Sequence, residues 1–207
     1  MNPTNQELES KYHLSQPKVL EARLQGLGAE LLHPRTHEYN LRFDTPDQNL
    51  AQEYRLLRLR KDQSAHLTYK GPSTNQSGVN IREEIEITIG DFDTARLLLH
   101  ALGYVITAVY EKYRTTYELD GLHVTIDEMP FGVFLEIEGK DIESIKLAAV
   151  RLGLDGDAHI AQNYLQIFLQ LKDTYRLDFD EVLFENFEGI VISLETIGIR
   201  PADKLPL

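Results

Sequence analysis

The chain has no cysteine. Disulfide frameworks and thiolate metal sites are therefore excluded, and carboxylate oxygens, with imidazole a weaker option, are left to hold a cation. Nowhere do eighteen apolar residues run together, so no membrane-spanning helix and no membrane partner are expected. The opening MNPTNQELES lacks the basic start, apolar run and processing site of an export signal, which predicts a cytoplasmic protein. Basic residues are few beside acidic ones, 21 against 33, for a formal net charge of −12. That sign opposes association with nucleic acid, so no nucleic-acid partner is expected. Metal-ligand histidine spacing is missing too: His33 and His37 are four apart, but Pro34 between them breaks a helix. The loop GPSTNQSG lacks the lysine-serine ending of a P-loop, and its glycines read as a turn.

What is present suffices for a sizeable core: 207 residues, 42% of them apolar. After ELESKYHL, Ser15 is placed to cap the amphipathic run KVLEARLQGLG. HEYNLRFD predicts a strand ending in an Asp-Thr-Pro-Asp turn, EYRLLRLRKD and AHLTYKGP a hairpin, and NIREEIEITIG a strand of period two. DFDTARLLLHALG is a helix, followed by strands in YVITAVYEKYRTTYEL, HVTIDEM and GVFLEIEG. Asp141 caps IESIKLAAVRLG, and AHIAQNYLQIFLQLK reads as a last helix. Hairpin-length links in this order predict an α+β fold with a largely antiparallel sheet. Residues 173–207 are acidic and rich in Phe, Ile and Val, with FEGIVISLE a candidate strand pair. The expected organisation is a domain over 1–172 with an appendage over 173–207.

Charges on these strands fall on one parity. Glu7, Glu9 and Lys11 alternate in ELESK, Arg58 and Arg60 in RLLRLR, Arg82, Glu84 and Glu86 in IREEIE, Lys112 and Arg114 in EKYR, and Glu136 and Glu138 in FLEIEG, with Lys70 and Asp127 on neighbouring runs. A single such strand reads as the wet face of a sheet. Like charges at i and i+2 on nearly every strand repel unless opposite charge lies between them. A closed sheet with these faces inward brings basic and acidic strands around one lumen, suited to a polyphosphate gripped by Arg and Lys and to Mg2+ or Mn2+ held by carboxylates. The apolar alternate positions would then pack outward under helices.

The ordered set Glu7-x-Glu9-x-Lys11, LRLR, YKGP, REEIE, EKYR, Asp127 and FGVFLEIEG resembles the CYTH domain, the triphosphate tunnel metalloenzymes, which include class IV adenylyl cyclases, thiamine triphosphatases and inorganic triphosphatases. The resemblance runs from residue 5 to about 168. It implies a closed eight-stranded antiparallel β-tunnel with flanking helices. Lys11, Arg58, Arg60, Lys70, Arg82, Lys112 and Arg114 match the family's triphosphate-binding residues, and Asp127, Glu136 and Glu138 its metal-binding carboxylates. Glu7 and Glu9 match its metal- or water-positioning pair, and Glu84 and Glu86 its middle-strand acids. NYLQIF looks like its Tyr-containing helix, with Asn163 where a serine is common.

The activity implied is metal-dependent hydrolysis of a small-molecule triphosphate, organic or inorganic. The alternatives are cyclisation of ATP and a module that binds polyphosphate without turnover. Tyr110, Tyr113 and Tyr117 are expected to pack the sheet. The 173–207 segment is expected either to cover a mouth of the tunnel or to form a homodimer contact.

Overall fold

The computed structural model describes residues 6–203; residues 1–5 and 204–207, the ends of the two ranges above, lie outside the described residues. Among the described residues nine strands form: β1 Gln6–Leu14, β2 Glu30–Asp44, β3 Leu56–Lys61, β4 Ala65–Lys70, β5 Thr74–Gln76, β6 Val79–Ile89, β7 Val105–Leu119, β8 Leu122–Met129 and β9 Gly132–Glu138. Five helices lie between and after them: α1 Pro17–Gly26, α2 Asn49–Gln52, α3 Phe92–Ala101, α4 Ile142–Arg151 and α5 Tyr164–Tyr175. The strand order is β1-β9-β8-β7-β2-β3-β4-β6, and β1 pairs again with β6, so eight antiparallel strands close in a ring. Short β5 pairs with β6 and stays outside that ring. The ring is not a regular barrel, because β2 and β7 slip register at three places along their pairing.

Alternation decides what faces outward. Tyr12, Leu14, Val124, Leu135 and Ile137 pack with Leu20 and Leu24 of α1 and Ile145, Ala148 and Ala149 of α4. Leu41, Phe43 and Leu59 meet Leu99 of α3. Each such fully buried aliphatic side chain contributes roughly 1.5–3 kcal/mol. On β6 the rule fails: Ile85 and Ile87 are 44% and 55% exposed, because α3 lies over β3 and leaves this stretch of the outer face uncovered. The Asp120-Gly121 turn joins β7 to β8 with both residues at positive φ, 54° and 80°, the conformation a two-residue hairpin needs.

Three local expectations change. The α1 cap residue is Gln16, with no side-chain cap; the Ser15 hydroxyl and the Ser15 and Gln16 amides donate to Asp203 instead. The last helix starts only at Tyr164, where Asn163 and Gln166 form a capping box. FEGIVISLE forms no strand pair: Gly189 turns at φ 77°, and two short 3-10 turns, Phe184–Phe187 and Leu194–Ile197, carry Phe187 and Leu194 inward.

These inward residues join a third core. Val182, Phe187, Leu194 and Ile199 pack with Tyr164, Ile167, Phe168 and Leu171 of α5 and with Tyr110, Met129 and Phe134 of the ring. Tyr110, Met129 and Phe134 share the inward parity of Lys112, Asp127 and Glu136, so the cluster fills one end of the ring beside α5. Backbone bonds tie the segment down: Val182 exchanges with Val109 and Glu111, and the Ala202 amide donates to the His13 carbonyl.

Candidate active site

The closed ring puts the charged parity inward, and thirteen of the fourteen candidate side chains line one cavity of about 360 Å³. Asp127 lies just behind its wall, fully enclosed. The lumen is two-sided. Glu136 and Glu138 on β9, Glu7 and Glu9 on β1, and Glu84 and Glu86 on β6 occupy three neighbouring strands. Lys112 and Arg114 on β7, Arg42 on β2, Arg58 and Arg60 on β3, and Lys70 on β4 occupy the four that face them. Lys11 and Arg82 stand on the acidic side and Glu38 on the basic side, which limits repulsion within each wall.

Ion pairs fix much of the arrangement. Asp127 accepts from Lys112 Nζ at 2.7 Å, from Arg114 Nε and Nη2 at 2.6 Å, and from the Tyr164 hydroxyl at 2.8 Å. Arg114 Nη2 also donates to Glu136 at 2.6 Å. Lys70 Nζ holds both Glu7 oxygens at 2.8 and 2.9 Å, while Arg82 Nε donates to Glu7 at 2.7 Å. Burial pushes the Glu7 carboxyl up, but Lys70 and Arg82 outweigh it and hold the group at about 2. Glu136 behaves likewise: burial opposes the charge, and Lys11, Arg114 and Lys112 bring it well below the carboxylate range.

Three carboxyls are pushed up instead, Glu9 although Arg82 donates to it at 3.3 Å and Glu84 although Lys70 stands at 3.0 Å. Burial, then Glu136 and Glu7, push Glu9 up. Glu138 stands exposed at the rim, yet enclosure on its lumen side, then Glu7 and Glu84, push it to about 7. The acidic wall is therefore short of positive charge, and hard oxygen donors on adjacent strands suit a divalent cation such as Mg2+ or Mn2+. Among the described residues, no three carboxylate or imidazole groups already stand as a metal-ligand cluster. Asp127, matched by resemblance to a metal ligand, is occupied by Lys112, Arg114 and Tyr164.

The sequence reading missed part of the lumen. Glu38, Asn40 and Arg42 share the inward parity of β2, and Glu38 and Asn40 are buried. Their mixed character, acid, amide and base, gave no like-charge pair to notice. Tyr110, expected to pack the sheet, also lines the cavity, and although burial opposes it the charges of Arg58 and Lys112 lower its pKa. Tyr164 lies under Lys11, whose ammonium is 4.3 Å from the ring centroid. A second cavity of about 580 Å³ adjoins the lumen, sharing Glu9, Lys11, Arg42, Leu56 and Arg82 with it. Tyr54, Ala108, Leu165 and Leu169 make part of this antechamber's wall apolar, and Arg55, Ser73 and Asn80 make the rest polar.

The CYTH domain profile matches residues 5–162. A protein of Methanocaldococcus jannaschii named as a candidate adenylate cyclase is 26% identical over 172 residues, 78% of this chain and 97% of its own. The adenylate cyclase CyaB of Aeromonas hydrophila is 32% identical over 135 residues, 63% of this chain and 67% of its own. Among solved structures, a candidate adenylate cyclase of Vibrio parahaemolyticus superposes with a TM-score of 0.71 at 22% identity, over 79% of this chain and 97% of that one. A candidate adenylyl cyclase of Hippeastrum, described as having a dominant triphosphatase activity, gives 0.61 at 20% identity, over 79% and 95%. With the profile covering most of the ring and the lumen charges in family order, the chain belongs to the CYTH domain family.

Proposed function

We propose that this protein is a divalent-metal-dependent enzyme that hydrolyses the terminal phosphate of an organic triphosphate. The observation that carries the reading is the division of the lumen into an acidic and a basic wall across about 360 Å³. The phosphate chain lies along the basic wall, where Lys112, Arg114, Arg58, Arg60 and Lys70 donate charge-assisted hydrogen bonds to its oxygens. Glu9, Glu136 and Glu138 are the residues that would hold a cation, and a bound Mg2+ or Mn2+ supplies neutralisation of phosphoryl charge. Asp127 and Tyr164 act through Lys112 and Arg114, holding both cations in register before substrate arrives.

Water reaches the acidic wall at the rim beside Glu138, and fixed dipoles and charges around the phosphoryl group favour its transfer. Water adds to the terminal phosphorus, the bond to the bridging oxygen breaks, and orthophosphate separates from the organic diphosphate. The antechamber supports an organic rather than an inorganic substrate, since beside its basic residues Lys11, Arg42, Arg55 and Arg82 it presents the apolar surfaces of Tyr54, Ala108, Leu165 and Leu169, for which a bare phosphate chain has no complementary group.

A second reading is cyclisation of ATP to cyclic AMP and pyrophosphate, favoured by the names of the two sequence relatives. Incubation with ATP, thiamine triphosphate or tripolyphosphate and Mg2+ or Mn2+, with products resolved, separates the two. Orthophosphate from an organic triphosphate is the expected outcome; cyclic AMP with pyrophosphate as main products would overturn hydrolysis. Tight triphosphate binding without turnover would instead make the domain a binding module.

A further inference from the structure

Arg42 is a basic side chain of the lumen outside the set that the CYTH resemblance covers, and it has no partner: among the described residues, no carboxylate or carbonyl pairs with its guanidinium. Its cross-strand neighbour in the β2–β3 register is Arg58, a like charge. Burial first, with repulsion from Arg82 and Arg58, outweighs the attraction of Tyr110 and Asp44 and lowers its pKa. Beneath it on the same face, Asn40 is fully enclosed with both amide atoms unbonded. Unmet donors and unpaired guanidinium charge at a cavity wall are what an anion site looks like before its anion arrives.

The position of Arg42 is as informative as its charge. It lines the lumen and the antechamber together, whereas Glu138, Arg114 and Lys112 line the lumen alone. β2 is also four strands from β1 in either direction round the ring, so Arg42 faces the acidic wall from across the lumen. We propose that Arg42 binds the phosphate that carries the organic group, at the junction of the two cavities, and so sets the register of the substrate along the lumen. The proposal rests on the triphosphate reading above and adds to it which phosphate this arginine takes. An organic substrate is held at both sides of the junction, its ring side against Tyr54 and Leu165 and its first phosphate under Arg42. Inorganic tripolyphosphate has no such anchor and slides to meet the deeper cations.

The test is calorimetric binding of ATP and of tripolyphosphate to the wild-type protein, Arg42→Gln and Arg42→Lys, alongside the thermal midpoint of each without ligand. Arg42→Gln is expected to weaken ATP binding by about 10-fold to 100-fold and tripolyphosphate binding by a smaller factor, with Arg42→Lys recovering part of the loss. The ligand-free midpoint of Arg42→Gln should be equal to or above wild type, because a repelled, unpaired charge has gone. A purely structural arginine would instead lower that midpoint and leave the affinities alone, which overturns the proposal. Equal losses for both ligands overturn the register. Wild-type protein that binds ATP as tightly as Arg42→Gln does sinks this inference and leaves the triphosphate reading standing; wild-type protein that binds neither ligand sinks the triphosphate reading itself.

Discussion

Glu38 shows how a buried charge is kept ionised. Burial pushes its carboxyl up, yet Lys112, Arg114, Arg60 and Arg58 outweigh that and hold it at about 2, against 4.5 for an ordinary glutamate. Its folded-state value is depressed, so the stabilisation is fully present above pH 4.5 and is lost as pH falls through about 2. Glu38→Gln should lower the unfolding free energy at pH 7 by roughly 3 kcal/mol and flatten the loss of stability between those two values, as urea titrations at several pH values would show. Asp127→Asn leaves Lys112 enclosed without its carboxylate at 2.7 Å. Removing one partner of a buried pair costs about 3–5 kcal/mol, and triphosphate affinity should fall with it, because Lys112 and Arg114 lose the group that aims them. Unchanged affinity in a folded Asp127→Asn protein would mean that these two cations need no such aiming.

Among the elements, the segment after α5 is part of the core. Its Val182 is fully buried between strand β7 and helix α5, and its Asp203 ties down the residues before α1. Val182→Asp places an unpaired charge among apolar neighbours and should cost several kcal/mol, whereas Asp203→Ala, losing exposed hydrogen bonds, should cost about 1 kcal/mol. Thermal melts of the two variants give the comparison, and equal midpoints would contradict it. Strands were the most legible part of the sequence, because inward charge and outward aliphatic residues alternate with period two in β3, β6 and β9. The end segment was not legible: its Phe, Ile and Val residues follow neither strand nor helix spacing, since they fill a hole whose shape is set by Tyr110, Met129 and Phe134 far away in the chain. Ser15 had the right residue type for a cap, but Asp203, distant in sequence, took the amides first. On β2, a Glu-Asn-Arg series was readable as a face only once Lys112 and Arg58 stood beside it in register.

As a whole, the molecule carries a formal charge of −12 while presenting a basic wall to its lumen. A chelator should therefore abolish turnover and also weaken triphosphate binding, because the anion then faces the crowded carboxylates of Glu9, Glu136 and Glu138 without the cation; adding back Mg2+ or Mn2+ should restore both. Full turnover in excess chelator would contradict a metal role for the acidic wall. Closure of the ring has a different consequence, in time. β1 precedes the other strands of the ring, yet its partners are β6 and β9, whose paired residues lie more than 70 and more than 115 residues later. Until β9 has been synthesised, the earliest strand keeps an open edge, and loop-closure entropy delays its pairing. The buried charges of the lumen, Glu7, Glu9, Lys11, Arg58 and Lys112 among them, then leave water in that step together. Folding should show one slow phase that inorganic triphosphate accelerates, the future ligand serving as the counter-ion around which the ring shuts.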